Sequence, residues 1–323
     1  EFNGLATSLP INYPFWNNDP GIGFFGLGFT GLMLDPSGST NYIDQYDESN
    51  LSFGGAQGKA TIDNISSGDA LGALNSQENA FQFGFNVDNN SSPFTIQTKI
   101  ETPFDGIQPL PGQSYGIFIG TGSQDNYFKV VIMDGLSSGD NINGIEVVLE
   151  NNGIPTSYVF DVPNLLNAVA IDVYLNVNPQ QSQVQPYYSI NSGEDIFSLG
   201  NPIDIPPSYF DLTDNIGLIA GLISTSGTSN TPFIGTWDFI SIKEDGPKEL
   251  NANPNFVDFG NQSVNSSISL NNVSITNIGS PVAGAITISE INFSGQNSDL
   301  FNTTLSTPLI VGAGAEKLIP VNF

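Results

Sequence analysis

The chain has 323 residues, with 6 Lys or Arg against 32 Asp or Glu, so its formal charge is −26 at pH 7. A surface this acidic repels phosphate groups and anionic lipid, which argues against nucleic-acid partners and membrane-surface roles. The sequence has neither Cys nor His, which excludes disulfides, thiol catalysis, Cys-based zinc sites and a His general base.

Short apolar runs separated by turn residues dominate the sequence. The chain has 35 Gly and 21 Pro, and helical periodicity is almost absent. No run of about 18 apolar residues is present, so we expect no insertion into a membrane. With 39% hydrophobic residues the chain can build a large core, and the pattern predicts an all-β fold of antiparallel sandwiches. The predicted strands are Phe81–Val87, Phe94–Glu101, Tyr115–Ile119, Tyr127–Ile132, Ile145–Glu150, Tyr158–Val162, Ile171–Val177 and Ile216–Ile223.

Residues 1–244 are predicted to form one large all-β domain, and four motifs in it carry a resemblance. These motifs are G-F-T-G-L-M at 28–33, Q-E-N-A-F-Q-F-G at 77–84, G-I-F-I-G-T-G at 116–122 followed by Q-D-N-Y at 124–127, and G-T-W-D-F at 235–239. The domain resembles the concanavalin A-like (laminin G-like) jelly rolls of large bacterial exoproteins. That resemblance implies a carbohydrate-binding or adhesive module, often with a calcium ion, although the family also contains glucanases.

Catalytic carboxylates are the first chemistry to weigh. A glycosidase needs two carboxylates roughly 5–10 Å apart, and glucanases of the resembled fold take them from a Glu-x-Asp-x-x-Glu strand. The nearest match is Glu146 and Glu150, which share a strand face, but Val148 stands between them where the family has an acid. We therefore interpret both glutamates as solvated residues and predict that the chain is not an enzyme.

Calcium is the expected cofactor, because carboxylates on Asn- and Gly-rich loops suit a hard cation. Asp35 and Asp238 are the first candidate ligands, since the first and last strands of jelly rolls commonly lie side by side. Asp44, Asp47 and Asp125 are further candidates. For each of them, a turn-capping or simply solvated carboxylate is the alternative.

Sugar binding in such folds uses aromatic rings beside hydrogen-bonding side chains. The candidate ligand-binding residues are Trp16, beside Asn17, Asn18 and Asp19, then Tyr42 and Tyr46, and Tyr187 in the pair Tyr187-Tyr188. Trp237 lies in an apolar run and is predicted to be a core residue.

Residues 245–323 follow a charged Gly-Pro stretch and are predicted to form a second domain. Its motifs are N-P at 253–254 with F-G at 259–260, V-S-I-T-N-I-G at 273–279, S-D-L-F at 298–301 and I-P-V-N-F at 319–323. The segment resembles the immunoglobulin-like domains of abnormal-spindle and Hydin proteins, which usually continue further, so a truncated domain is expected. The phase change between Leu270 and Val273 predicts a β-bulge at Asn271-Asn272.

The leading hypothesis is a non-catalytic module of a secreted or cell-surface bacterial protein. Its expected partners are a glycan or another cell-surface ligand and further domains of the same polypeptide, with calcium assisting. The alternatives are a structural stalk or adhesin segment that makes protein contacts, and a polysaccharide-degrading glycoside hydrolase. The expected location is extracellular or at the cell surface.

Overall fold

The structure is a computed structural model, and it describes residues 29–38, 47–54, 58–134, 144–192, 195–211, 217–227, 231–246, 249–254, 269–279, 284–312 and 316–322. Within these ranges the regular elements are β-strands and short 3₁₀ turns. In chain order the strands are β1 Gly31–Leu32, β2 Leu51–Gly54, β3 Lys59–Ile65, β4 Asn79–Phe85, β5 Phe94–Glu101, β6 Ser114–Ser123, β7 Asn126–Met133, β8 Gly144–Asn151, β9 Ile154–Asp161, β10 Ala170–Asn178, β11 Gln183–Ile190, β12 Phe197–Ser198, β13 Ile203–Asp204, β14 Leu218–Thr225, β15 Phe233–Glu244, β16 Leu250–Asn253, β17 Ser269–Asn277, β18 Ile286–Ile288, β19 Leu309–Val311 and β20 Glu316–Asn322. The 3₁₀ turns are Glu48–Asn50, Pro103–Gly106, Leu165–Asn167, Pro179–Gln181, Pro207–Phe210 and Ser298–Leu300.

The first unit is a sandwich of two antiparallel sheets. The seven-stranded sheet has the order β1-β4-β14-β6-β7-β8-β9. The eight-stranded sheet has the order β12-β11-β10-β5-β15-β3-β2, with β13 paired to β11. Strands far apart in sequence are neighbours in both sheets, as when β14 lies between β4 and β6. The predicted all-β jelly-roll fold is confirmed.

The main core lies between the two sheets and follows from period-2 alternation. In β5 the side chains of Phe94, Ile96 and Ile100 point into the core, and in β10 those of Val173 and Leu175 do the same. Ile96 lies directly opposite Leu175 in the register of these strands. The intervening residues are mostly polar and point to the other face of the sheet.

Strands β6 and β7 form a hairpin. Ser123 pairs with Asn126 across the turn, and the register shifts between Gly120 and Ser123. Gly122 has φ +84° at this shift, a conformation that a side chain would strain. The hairpin brings Tyr127 and the residues after it back alongside β6.

The second unit consists of Lys243–Phe323 together with the short segment Gly193–Ile196. Its described strands form a sheet in the order β16-β17-β20 and a separate pair, β18-β19. The register of β17 with β20 shifts between Leu270 and Val273, so the predicted bulge is confirmed. Residues 255–268 lie outside the described residues, and they include Phe259-Gly260 of the first motif. The immunoglobulin-like assignment therefore stays a prediction.

Among the described helical segments, none has the length and apolar character needed to cross a bilayer.

Candidate functional site

The outward side chains of β5, β10 and β11 form a polar surface on the eight-stranded sheet, which we call the polar face. Alternation in these strands sends every second side chain away from the main core. The central row pairs Gln97 with Tyr174, and Tyr174 with Tyr187. The polar face comprises Thr95, Gln97, Lys99, Asp172, Tyr174, Asn176, Gln185, Tyr187 and Ser189.

Two tyrosines stand side by side at the centre of the polar face. Directly opposed residues of neighbouring antiparallel strands have Cβ atoms about 5 Å apart, and Tyr174 and Tyr187 are such a pair. Tyr174 is 6% exposed, and Tyr187 is half-buried. Burial raises the pKa of Tyr174 to about 12, so its hydroxyl keeps its proton at neutral pH. The pair therefore presents the half-buried ring of Tyr187 beside an almost fully buried Tyr174.

Hydrogen bonds hold the polar side chains around the tyrosines in place. Gln97 Nε2 donates to Asp172 Oδ1 at 3.2 Å, and Ser192 Oγ donates to Asp172 Oδ2 at 2.9 Å. Asn176 Nδ2 donates to Thr95 Oγ1 at 3.2 Å. Burial raises the pKa of Asp172, although the donors from Ser192 and Gln97 oppose this shift. The network gives the polar face a fixed pattern of donors and acceptors.

The outward side of the seven-stranded sheet carries a second cluster of buried apolar side chains, and we call this side the covered face. Phe118, Val131, Val148 and Ile219 are at most 1% exposed there. The loop at residues 66–78 covers part of this surface through Ala70 and Leu71. The covered face is chiefly apolar, whereas the polar face combines the buried side chains of Thr95, Asp172, Tyr174 and Ser189 with the half-buried ones of Gln97, Lys99, Asn176, Gln185 and Tyr187.

A small group of charged side chains lies within the covered face, and we call it the Lys129 cluster. It comprises Asp69, Tyr127, Lys129, Glu146 and Glu150. Lys129 is 3% exposed, and its Nζ lies 3.8 Å from Asp69 Oδ1 and 5.7 Å from the centre of the Tyr127 ring. Burial acts to lower the pKa of Lys129, but Tyr127 and then the carboxylates of the cluster outweigh burial and raise it.

Glu150 is buried, which corrects the interpretation of both glutamates as solvated. Glu150 is 0% exposed, because the loop at residues 66–78 packs over it and Gly72 N–H donates to its Oε1 at 3.1 Å. Its Oε2 has no hydrogen-bond partner among the described residues. Glu146 is half-buried, and its Oε1 accepts a hydrogen bond from Ser157 Oγ at 2.6 Å. Burial raises the pKa of Glu150 despite the Gly72 donor.

The raised pKa of Glu150 predicts a specific pH dependence. The folded protein binds this proton more tightly than the unfolded chain does, so the contribution of Glu150 to stability falls as pH rises from about 4. We expect Glu150→Gln, which keeps the Oε1 acceptor for Gly72, to lose less unfolding free energy than wild type between about pH 4 and pH 7. Urea denaturation across this range measures the effect, with Glu146→Gln as the control for loss of one negative charge. Equal pH slopes in wild type and Glu150→Gln would contradict this interpretation.

The candidate calcium ligands do not come together around the leading pair. Asp35 comes three residues after the end of β1, which pairs with β4 in the seven-stranded sheet. Asp238 lies in β15 of the eight-stranded sheet. The expectation that their strands lie side by side is therefore wrong. Asp35 accepts hydrogen bonds from Ser37 N and Oγ at 2.9 and 2.7 Å, and Asp238 pairs with Lys99 at 3.2 Å.

The other candidate acids either accept hydrogen bonds from nearby side chains or lie outside the described residues. Asp47 accepts hydrogen bonds from Ser49 and Asn50 in an exposed turn, and Asp125 accepts one from Asn75 Nδ2 at 3.0 Å. Asp44 lies outside the described residues. No group of three or more acidic side chains in the described ranges is arranged to hold a metal ion. Calcium binding stays a prediction.

Of the four candidate ligand-binding residues, only Tyr187 lies within the described ranges, on the polar face. Trp16, Tyr42 and Tyr46 lie outside them. Trp237 is 1% exposed, so its predicted place in the core is confirmed. Tyr174 of β10 was not among the candidate residues, because the sequence does not show that it lies opposite Tyr187. The signal available in the sequence was a tyrosine among the polar residues that alternate with the apolar positions of this strand.

A pocket of about 390 Å³ lies elsewhere in the first unit, between the loop at 102–113 and the start of β15. Phe104, Ile107, Leu110 and Phe233 supply much of its lining. The buried Gln113 joins its two walls, since Oε1 accepts from Leu110 N–H and Nε2 donates to the carbonyl of Thr231, both at 2.8 Å. The pocket is chiefly apolar and contains none of the predicted site residues.

A scan against protein-family models and a search of curated proteins found no match. Three similar solved structures are a xylan β-1,4-xylosidase from Bacillus halodurans, an alginate lyase from Pseudomonas aeruginosa and a lectin from Bauhinia forficata in complex with GalNAc. Their sequence identities are 14%, 10% and 10%, and their TM-scores are 0.47, 0.39 and 0.37. The matches cover 62%, 67% and 60% of this chain and 35%, 98% and 90% of the three proteins. The chain thus spans about a third of the xylosidase.

The prediction that the chain is not an enzyme is contradicted, because a xylosidase and an alginate lyase are among these similar structures. The prediction relied on the missing His, on Val148 where the resembled glucanases have an acid, and on the interpretation of Glu146 and Glu150 as solvated. The structure instead buries Glu150, which lies opposite Tyr127 in the register of β7 and β8. At such low identity the similarities concern the fold. The chain is thus an antiparallel jelly-roll sandwich followed by a smaller all-β unit.

Proposed function

We propose that the jelly-roll unit binds carbohydrate and that the polar face is its binding surface. The observation that carries the proposal is the Tyr174–Tyr187 pair, directly opposed on neighbouring strands and surrounded by amide and carboxylate side chains. Sugar rings present apolar C–H faces and a rim of hydroxyl groups. A surface that combines aromatic rings with fixed hydrogen-bonding groups matches both features.

The dimensions of the polar face suit a chain of sugars. Three strands span roughly 10 Å, and the four residue steps from Thr95 to Lys99 span roughly 13 Å. This area exceeds a single sugar ring. Because Gln97, Asn176 and Asp172 are already held by hydrogen bonds, a ligand has fewer side chains to order on binding.

The other two surfaces suit sugar binding less well. The covered face presents the apolar side chains of Phe118, Val131 and Ile219, which form no hydrogen bonds with a sugar. The lining of the pocket is chiefly apolar as well. Sugar hydroxyl groups would find few partners in either place.

Tyr187→Ala tests the proposal against a panel of soluble polysaccharides by affinity electrophoresis. We expect wild type to be retarded by at least one polysaccharide and Tyr187→Ala to bind that polysaccharide about three- to tenfold more weakly, because an aromatic contact is removed. Tyr158→Ala is the matched control, because Tyr158 is 44% exposed on β9 of the other sheet. It should bind as wild type does.

The result that would overturn the proposal is equal affinity of Tyr187→Ala and wild type, or no binding by wild type to any polysaccharide. The second outcome would favour the structural stalk. Calcium assistance, adhesion and an extracellular location belong to the same proposal as expectations, and repeating the panel with calcium and with EDTA tests the first of them.

A further inference from the structure

We infer that the polar face takes neutral glycans and rejects uronate-containing or sulfated ones; this inference rests on the proposed function. The first step is the scarcity of cations. Among residues 1–242 the sequence has three lysines, Lys59, Lys99 and Lys129, and no arginine. Binding of anionic sugars relies on such cations, and Arg is over-represented where carboxylates are recognised in bidentate geometry.

The second step is that each of these lysines is paired with a carboxylate. Lys59 Nζ lies 3.2 Å from Glu101, Lys99 Nζ lies 3.2 Å from Asp238, and Lys129 Nζ lies 3.8 Å from Asp69. Lys129 is also buried in the covered face and cannot reach the polar face. Lys99 is the cation of the polar face, and its charge is neutralised there.

The third step is the remaining charge on and around the polar face. Asp172 lies next to Lys99 in the register of β5 and β10, so this region holds two carboxylates, Asp172 and Asp238, against one ammonium group. The formal charge of −26 on the whole chain adds long-range repulsion of anions. A carboxylate or sulfate on a sugar would be desolvated here with no cation to compensate. Hydroxyl groups meet no such penalty.

The experiment compares neutral polysaccharides (mannan, arabinoxylan and a mixed-linkage β-glucan) with anionic ones (alginate, polygalacturonate and a sulfated galactan). Binding is measured at about 0.1 M and 1 M salt, where the screening length is about 10 Å and 3 Å, and with calcium or EDTA. We expect binding to at least one neutral polysaccharide, little changed by salt, and no binding to the anionic ones in any buffer.

A gain-of-function variant makes the test sharper. Asp238→Asn removes the partner of Lys99, a partly exposed ion pair, and should make binding of an anionic polysaccharide detectable, at least a few-fold tighter than in wild type. Asp161→Asn makes the same change of charge at an exposed position of β9 and should bind as wild type does.

The outcomes separate the two claims. If wild type binds an anionic polysaccharide as well as or better than any neutral one, the inference fails while carbohydrate binding stands. If wild type binds no polysaccharide in any buffer, the proposed function fails and the inference fails with it.

Discussion

Lys129→Met is expected to lower the free energy of unfolding by about 3–5 kcal/mol, the usual cost of removing one partner from a buried ion pair. Lys129 is 3% exposed, and its ammonium group faces Asp69 while Glu146 and Glu150 lie on the neighbouring strand. Without it, the buried carboxylate of Glu150 and the half-buried carboxylates of Asp69 and Glu146 have no positive charge near them. Urea denaturation at neutral pH measures the loss.

The double variant Lys129→Met/Glu150→Gln separates charge from packing. If uncompensated charge causes the loss, removing the buried carboxylate of Glu150 should restore part of the unfolding free energy, so the double variant should be more stable than Lys129→Met alone. If Lys129→Met costs less than about 1 kcal/mol, as for an exposed pair, Lys129 does not neutralise a buried site.

Trp237→Ala is expected to cost about 3–5 kcal/mol, because it removes a large side chain from the main core and leaves a cavity. Trp237 is 1% exposed and packs edge-on against Tyr115, with ring centres 5.3 Å apart. Tyr115 in turn contacts Phe104 and Phe233. The alanine variant should therefore also loosen the pocket at the end of the sandwich.

Trp237→Phe should cost less than half as much as Trp237→Ala. The indole Nε1–H of Trp237 has no hydrogen-bond partner among the described residues, so replacement by phenylalanine abandons no hydrogen bond and keeps an aromatic ring beside Tyr115. Thermal and urea denaturation of both variants give the comparison. Similar losses in the two variants would show that the indole makes an interaction this account lacks.

Local patterns in the sequence were sufficient to predict most of the strands. The predicted strand Phe94–Glu101 is observed with the same bounds, and Ile171–Val177 is extended by one residue at each end. Period-2 alternation and turn residues are local signals, and the hairpin at Gly120–Asn126 and the bulge at Asn271-Asn272 depend on the same kind of signal. Such features can be predicted without knowing which strands pair.

The candidate site depends on non-local pairing, which the sequence does not encode in any short segment. Tyr187 was a candidate, but its neighbour Tyr174 becomes visible only when β10 and β11 are aligned. Asp35 and Asp238 were expected to lie together because the first and last strands were assumed to be neighbours. The observed strand order shows that this assumption is wrong. Glu150 was interpreted as solvated because the strand pattern does not show that the loop at residues 66–78 packs over it.

NMR titration of labelled protein with a neutral oligosaccharide, taken from the polysaccharide that binds, locates the sugar on the protein. If sugars bind to the polar face, the largest amide shift changes fall in β5, β10 and β11, with Tyr174 and Tyr187 among them. Shift changes concentrated in the loop at 102–113 and the start of β15, or none in the three strands at saturating ligand, would contradict binding at the polar face.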